Sequence, residues 1–224
     1  MTTVELVDAA LPTAAPVGSR RRAWRRVLRN PLAVMGLFVV AVSVLAALLA
    51  NVVAPTPYDH TDFSAFLQPP SPAHWFGTDQ LGRDQFSRVL FGLRASVIVG
   101  AMSVALSLAI GVPLGLLAGF YGWLDPLVSR LADTMLAFPF LVLAVGLAVI
   151  LGPSLTTAIV AIGVAQIPAV IRVTRGETLR LRAMDYVAAA VADGASDAVV
   201  LGRHILPNAI NALIVQATVA VPAA

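Results

Sequence analysis

Thr134–Ile171 runs for 38 consecutive positions without a charged residue. One straight helix of that length would reach about 57 Å, nearly twice the roughly 30 Å hydrocarbon core of a bilayer. Gly152-Pro153-Ser154 stands near its middle, and that chemistry breaks a helix and favours a turn. The window therefore predicts two spans, Thr134–Leu151 and Leu155–Ile171, joined by a tight turn. Asn30–Tyr58 and Ala95–Leu124 are also free of charge and hold the apolar runs Val34–Val53 and Ser96–Phe120. A fifth run, Ile205–Ala224, reaches the last residue without a polar cap, so one further span is expected beyond it.

Composition agrees with this reading. The chain is 58% hydrophobic and 12% charged, against roughly 25% charged residues in soluble domains. The expected fold is an all-α integral membrane protein, a polytopic helical bundle with five spans. The absence of cysteine excludes a disulfide framework and a thiolate metal site.

All fifteen basic residues are Arg, and six lie in Arg20–Arg29, just before the first apolar run. A nucleic-acid surface would interleave basic residues with aromatics on a soluble face; a cluster abutting a span sets topology instead, so no nucleic-acid partner is expected. With the N-terminus inside, segments 1–33, 121–133 and 172–204 hold twelve Arg, and the outside segments hold Arg83, Arg88 and Arg94. Basic residues near span ends favour the cytoplasmic side, which puts the N-terminus in the cytoplasm. The outside Arg residues run against the rule; an interfacial helix with Phe86, Val89, Leu90, Leu93 and Val97 on one face would accommodate them. The first apolar run exceeds the 7–15 residues of a signal-peptide core, so cleavage is not expected.

Residues 1–30 read as a cytoplasmic tail and 31–224 as the membrane domain. The domain carries an outside loop over 54–94 and an inside segment over 174–206. The outside loop is rich in proline and contains His60 and His74, which are too few to define a metal site. Trp75 and Phe76 suit the membrane interface. In the inside segment Leu181, Met184, Val187 and Val191 recur at helical spacing. Gly194 suits a left-handed helix end, Ser196 an N-cap, and Pro207 the opening turn of the last span. Together they predict a helix–Gly–helix elbow.

The predicted span cores contain no ionisable residue, which disfavours an ion-coupled carrier. Gly111-Val-Pro-Leu-Gly115 lacks the Lys of a phosphate-binding loop. No catalytic residue and no cofactor is assigned. Energy for any transport must come from another subunit.

Ala188-Ala189-Ala190, Gly194, Leu206 and Pro207 stand at the offsets of the EAA loop of ABC-importer permeases. Tyr186-Val187, Arg203-His204-Ile205-Leu206-Pro207-Asn208, Phe76-Gly77-Thr78-Asp79-Gln80-Leu81-Gly82-Arg83-Asp84 and Arg29-Asn30-Pro31-Leu32-Ala33 are similar to its dipeptide/oligopeptide branch, C-type. The resemblance covers about residues 25–220 and departs from the family at Ala188, which replaces the leading Glu. The resemblance implies a sixth and final span past Ala224.

The resemblance implies a peptide-importer permease in the cytoplasmic membrane. Its partners would be cytoplasmic ATPase subunits, a homologous second permease, an extracytoplasmic substrate-binding protein and the lipid bilayer. The elbow would be the ATPase-coupling element, formed by Tyr186, Val187, Ala189, Ala190, Gly194, Arg203, Leu206 and Pro207. Tyr186, Val187 and Val191 would offer apolar contact to the ATPase, with Asp185, Asp193 and Arg203 as a polar rim. The alternatives are a nickel or other small-solute permease of the same superfamily, or a non-functional truncated membrane fragment. Gly100, Gly111, Gly115, Gly119, Gly146 and Gly163 would allow close helix contact, between the two permeases on this reading; the higher glycine frequency of membrane helices accounts for them equally well.

Overall fold

The structure is a computed structural model that describes residues 29–223. The N-terminal tail and the Arg cluster, Arg29 excepted, lie outside the described residues. Among the described residues every regular element is helical. The main helices are α1 (Pro31–Val53), α2 (Gln85–Phe120), α3 (Asp125–Leu136), α4 (Phe140–Leu151), α5 (Leu155–Arg182) and α6 (Asp185–Ala192). A short α7 (Asp197–Val199) then leads through a π-helical turn (Val200–Ile205) into α8 (Leu206–Ala220). Four helical stretches are long and apolar enough to cross a membrane, and α3 with α4 makes a fifth if the bent pair counts as one span.

The expected span Thr134–Leu151 is not a straight helix. It begins earlier, at Asp125, and bends by 87° between Leu136 and Phe140. Pro139 is the cause: it has no N–H to continue the α3 ladder, its ring disfavours helical backbone at the residue before it, and it is itself extended at ψ 133°. The two carboxylates this adds on α3 are paired. Both Asp125 oxygens accept from Arg175 on α5, and Asp133 accepts from Arg172 at 2.9 Å. The turn at Gly152–Ser154 forms as expected, with Gly152 at φ 84° and Ser154 capping α5 through the Thr157 N–H.

α2 and α5 form the centre of the bundle. Gly111, Gly115 and Gly119 lie on one face of α2 at steps of four. They sit against Val170, Thr174 and Thr178, the matching row of α5. The register rises together on both helices, so α2 and α5 run parallel, and α3–α4 supply the return. A Cβ on Gly115 would lie 2.6 Å from the Thr174 Cβ and 2.8 Å from the Ile171 carbonyl oxygen. Helices approach this closely only where the side chain is absent. Gly163 of α5 likewise meets Leu106 and the Ser103 carbonyl. The close contacts expected between two permeases are thus made within the chain. Gly146 faces open space and Gly100 makes only ordinary contact with Val221.

α1 is peripheral, burying only Ala47 and Ala50. Large apolar side chains such as Leu48, Val52, Val149 and Ile150 are 73–81% exposed, as befits helices whose solvent is lipid.

Among the described residues no separate interfacial helix precedes α2. Residues 85–94 are its first turns, with Leu90 buried and Val89 exposed. The Arg residues that ran against the topology rule have partners there. Asp79 accepts from the Arg83 Nε at 2.8 Å and from the Arg88 Nη1 at 2.5 Å, while Arg94 donates to the Asn51 Oδ1 on α1 at 2.9 Å. Trp75 and Phe76 are exposed on this loop and pack against Phe86. The His74 Nδ1 lies 3.0 Å from Asp84, the carboxylate that caps α2.

Burial by itself would raise the pKa of Asp79. The backbone N–H groups of Arg83 and Leu81 and the Arg83 guanidinium overcome that effect and hold it at about 2, below the ordinary 3.8. A depressed carboxylate stabilises the fold above its unfolded pKa, and that contribution is lost as pH falls through the folded value. The order of residues 76–88 is therefore expected to persist at pH 5 and to loosen between about pH 4 and pH 2. Hydrogen exchange of the Leu81 and Arg83 amides across that range checks it, with Asp79→Asn expected to exchange fast at every pH.

Candidate functional site

At the end of the bundle opposite the proline-rich loop, α5 stops at Arg182 and the chain turns through Ala183 and Met184 into α6. The periodic run Leu181–Val191 is thus split between two helices. Ala195 N–H bonds to the Ala190 carbonyl and Gly194 N–H to the Val191 carbonyl, each at 3.0 Å. With Gly194 at φ 83° this is a Schellman closure, which requires a left-handed residue at that position. The first half of the elbow therefore forms as its sequence implies.

The second half differs. It is not a separate short helix: α7 continues through the π turn into α8. Ser196 occupies the N-cap position, but its side chain makes no capping bond. Leu206 N–H reaches back five residues to the Leu201 carbonyl. Pro207 explains the widened turn: its ring crowds the preceding turn and it has no N–H to give the Arg203 carbonyl.

The structure divides the expected site residues into two groups. Val187 is 2% exposed and packs with Leu116, Leu181, Val200, Ile205 and Ala209, with Leu206 against the same cluster. Val187 therefore faces inward and is not part of an outward apolar contact, because its position on α6 points at the ends of α2, α5 and α8. Tyr186, Ala189, Gly194, Arg203 and Pro207 are exposed, and Ala190 is half-buried. The Tyr186 hydroxyl donates to the His204 carbonyl at 3.3 Å, and that carbonyl also accepts from Asn208 at 2.7 Å. Tyr186 thus ties α6 to the π turn. Asp185, Val191 and Asp193 remain on the free face.

Other contacts of the elbow had no signal in the sequence. Tyr121, at the end of α2, donates its hydroxyl to Asp197 at 3.0 Å. Arg182 donates to the Phe120 carbonyl at 2.8 Å and lies over the Phe120 ring, 5.4 Å from its centroid. These groups bound an open cleft of about 570 Å³ that Ala188 and Val191 also line. The partners are 62 and 76 residues apart in the chain, too far for any local pattern to pair them.

Residues 111–224, which include the elbow and the α2–α5 core below it, match the profile of the binding-protein-dependent transport system inner membrane component. The chain belongs to this family. Residues 19–70 match the N-terminal TM domain of oligopeptide transport permease C. The chain is 42% identical to a dipeptide transport system permease protein of Alkalihalophilus pseudofirmus over 199 residues, covering 88% of this chain and 66% of that protein. It is 41% identical to a glutathione transport system permease protein of Pectobacterium atrosepticum over 200 residues, covering 87% and 65%. With a dipeptide transport system permease protein of Bacillus subtilis the identity is 37% over 203 residues, covering 90% and 63%. The chain therefore spans just under two thirds of the length of these relatives. Membership of this inner-membrane family, with several apolar helices of spanning length, makes it a multi-pass membrane protein.

Proposed function

We propose that this binding-protein-dependent permease is one membrane subunit of an ATP-driven importer of di- or oligopeptides, and that the elbow is the handle its ATPase subunit grips. The observation that carries the coupling role is the division of the elbow into an inner and an outer face. Val187 locks α6 into the ends of three spans, while Ala189, Val191, Asp193 and Gly194 remain exposed. A push on the outer face is thereby delivered to α2, α5 and α8 together. The peptide class is supported by relatives described as dipeptide and glutathione permeases. The departure at Ala188 removes a carboxylate from the cleft that holds Arg182 and so weakens polar contact with the partner.

On this reading the elbow is cytoplasmic and the proline-rich loop is outside, facing a substrate-binding protein. A second, homologous permease completes the pathway. Co-purification in mild detergent tests the proposal: an ATPase subunit is expected to accompany the tagged chain, and its absence, with ion-driven uptake by the chain alone, defeats the reading. Topology has its own check. The chain has no cysteine and Gln80 is exposed, so Gln80→Cys gives a unique label site. It is expected to react with an impermeant thiol reagent in intact cells. Reaction only after lysis would invert the orientation.

A further inference from the structure

The break between α3 and α4 opens a cavity of about 230 Å³ against α5 and α8. Phe138, Phe140, Leu143 and Ala169 are among the residues that line it, together with Gln166 and Gln216. Among the described residues no charged one lines it. Gln166 is 6% exposed and sits midway along α5, a helix of spanning length. Its Nε2 donates to the Ala220 carbonyl at 3.4 Å. Its Oε1 is buried and has no hydrogen-bond partner among the described residues. A buried acceptor without a donor is costly, more so where lipid excludes water. A strong acceptor is thus held beside an apolar cavity at the one interrupted helix of the described bundle, the kind of break at which secondary transporters build sites within the membrane.

We infer that this cavity is a transient substrate site, which takes one uncharged, apolar residue of a passing peptide and accepts its backbone N–H on the Gln166 Oε1. This rests on the peptide-importer reading above. The volume is below the roughly 300–1,000 Å³ of pockets that enclose a whole ligand, so it suits a single residue. The uncharged lining excludes a peptide terminus or an ionised side chain, which would have to shed its hydration without a counter-charge. The oxygen is closed off in this conformation. A donor reaches it only when the helices around the break move, which makes the contact a feature of passage and not of storage.

The test uses the complete transporter, with its partner subunits and binding protein, in proteoliposomes. The probes are radiolabelled Ala-Phe-Ala and its analogue N-methylated at the Phe nitrogen. The wild type is expected to import the parent about tenfold faster than the analogue, the effect of one lost hydrogen bond to a buried acceptor. Gln166→Leu is expected to slow the parent and carry the two within about twofold of each other. The binding protein sees the same pair in both cases, so its own preference cancels in the comparison. Ala169→Phe, which fills the cavity, is expected to slow Ala-Phe-Ala several-fold more than Ala-Gly-Ala, and gives a second reading should Gln166→Leu fail to assemble. Equal rates for parent and analogue in the wild type, or unchanged discrimination in Gln166→Leu, overturn the site. Import of neither peptide by the wild type overturns the peptide reading itself, and the site with it.

Discussion

Replacing Gly115 by leucine is expected to abolish recovery of folded protein from the membrane. The first atom of any side chain there would lie 2.6 Å from the Thr174 Cβ and 2.8 Å from the Ile171 carbonyl. The second of these is backbone, which cannot rotate away. α2 and α5 would have to separate along the row Gly111–Gly119, and the buried contacts of Val170 and Ile171 would open with them. Overpacking by a single methyl already costs about 1–3 kcal/mol, so Gly115→Ala is expected to survive with a melting temperature several degrees lower. Gly146→Ala is the matched control: it is also a helix-interior glycine, but nothing lies within 4 Å of its would-be Cβ. It is expected to melt at or above the wild-type temperature, since alanine is the better helix former. Thermal unfolding in detergent separates the three variants. Equal melting of Gly115→Ala and Gly146→Ala would show that the α2–α5 contact is not as close as described.

The second large effect is expected at Gly194, and there the loss is of function, not of folding. Nothing lies within 4 Å of a Cβ at this position, so size is not the obstacle to insertion. The obstacle is its φ of 83°, a conformation that costs other L-residues about 1–2 kcal/mol. Asparagine tolerates it best. Gly194→Asn is therefore expected to keep most ATP-driven uptake. Gly194→Arg adds backbone strain and places a long cationic side chain on the free face of the elbow. It is expected to insert at wild-type yield yet lose at least tenfold in uptake. Uptake and membrane yield measured on the same preparations decide the matter. A fully active Gly194→Arg would remove the elbow from the coupling role, whatever its place in the fold.

Local features of this protein are legible in the residue order itself. Charge-free length located the four long apolar helices, because a bilayer sets a minimum apolar run that few soluble segments reach. Gly152 and Gly194 marked their turns, because a positive φ is a property of one residue and its neighbours. Pro139 carried a readable signal for the α3–α4 break, but the charge-free stretch around it dominated and suggested one uninterrupted span. Gln166 is polar yet uncharged, so the pattern of ionisable residues does not mark it.

Tertiary structure alone decided which surfaces meet. It turned Val187 inward to a core built from α2, α5 and α8, and put Arg83 and Arg88 on one carboxylate of Asp79. It also aligned Gly115 with Thr174, 59 positions later in the chain. Solvent preference and backbone torsion act within a turn or two, so residue order suffices to state them. Contact between distant helices depends on their relative direction and rotation, and those are settled only when all of them pack at once.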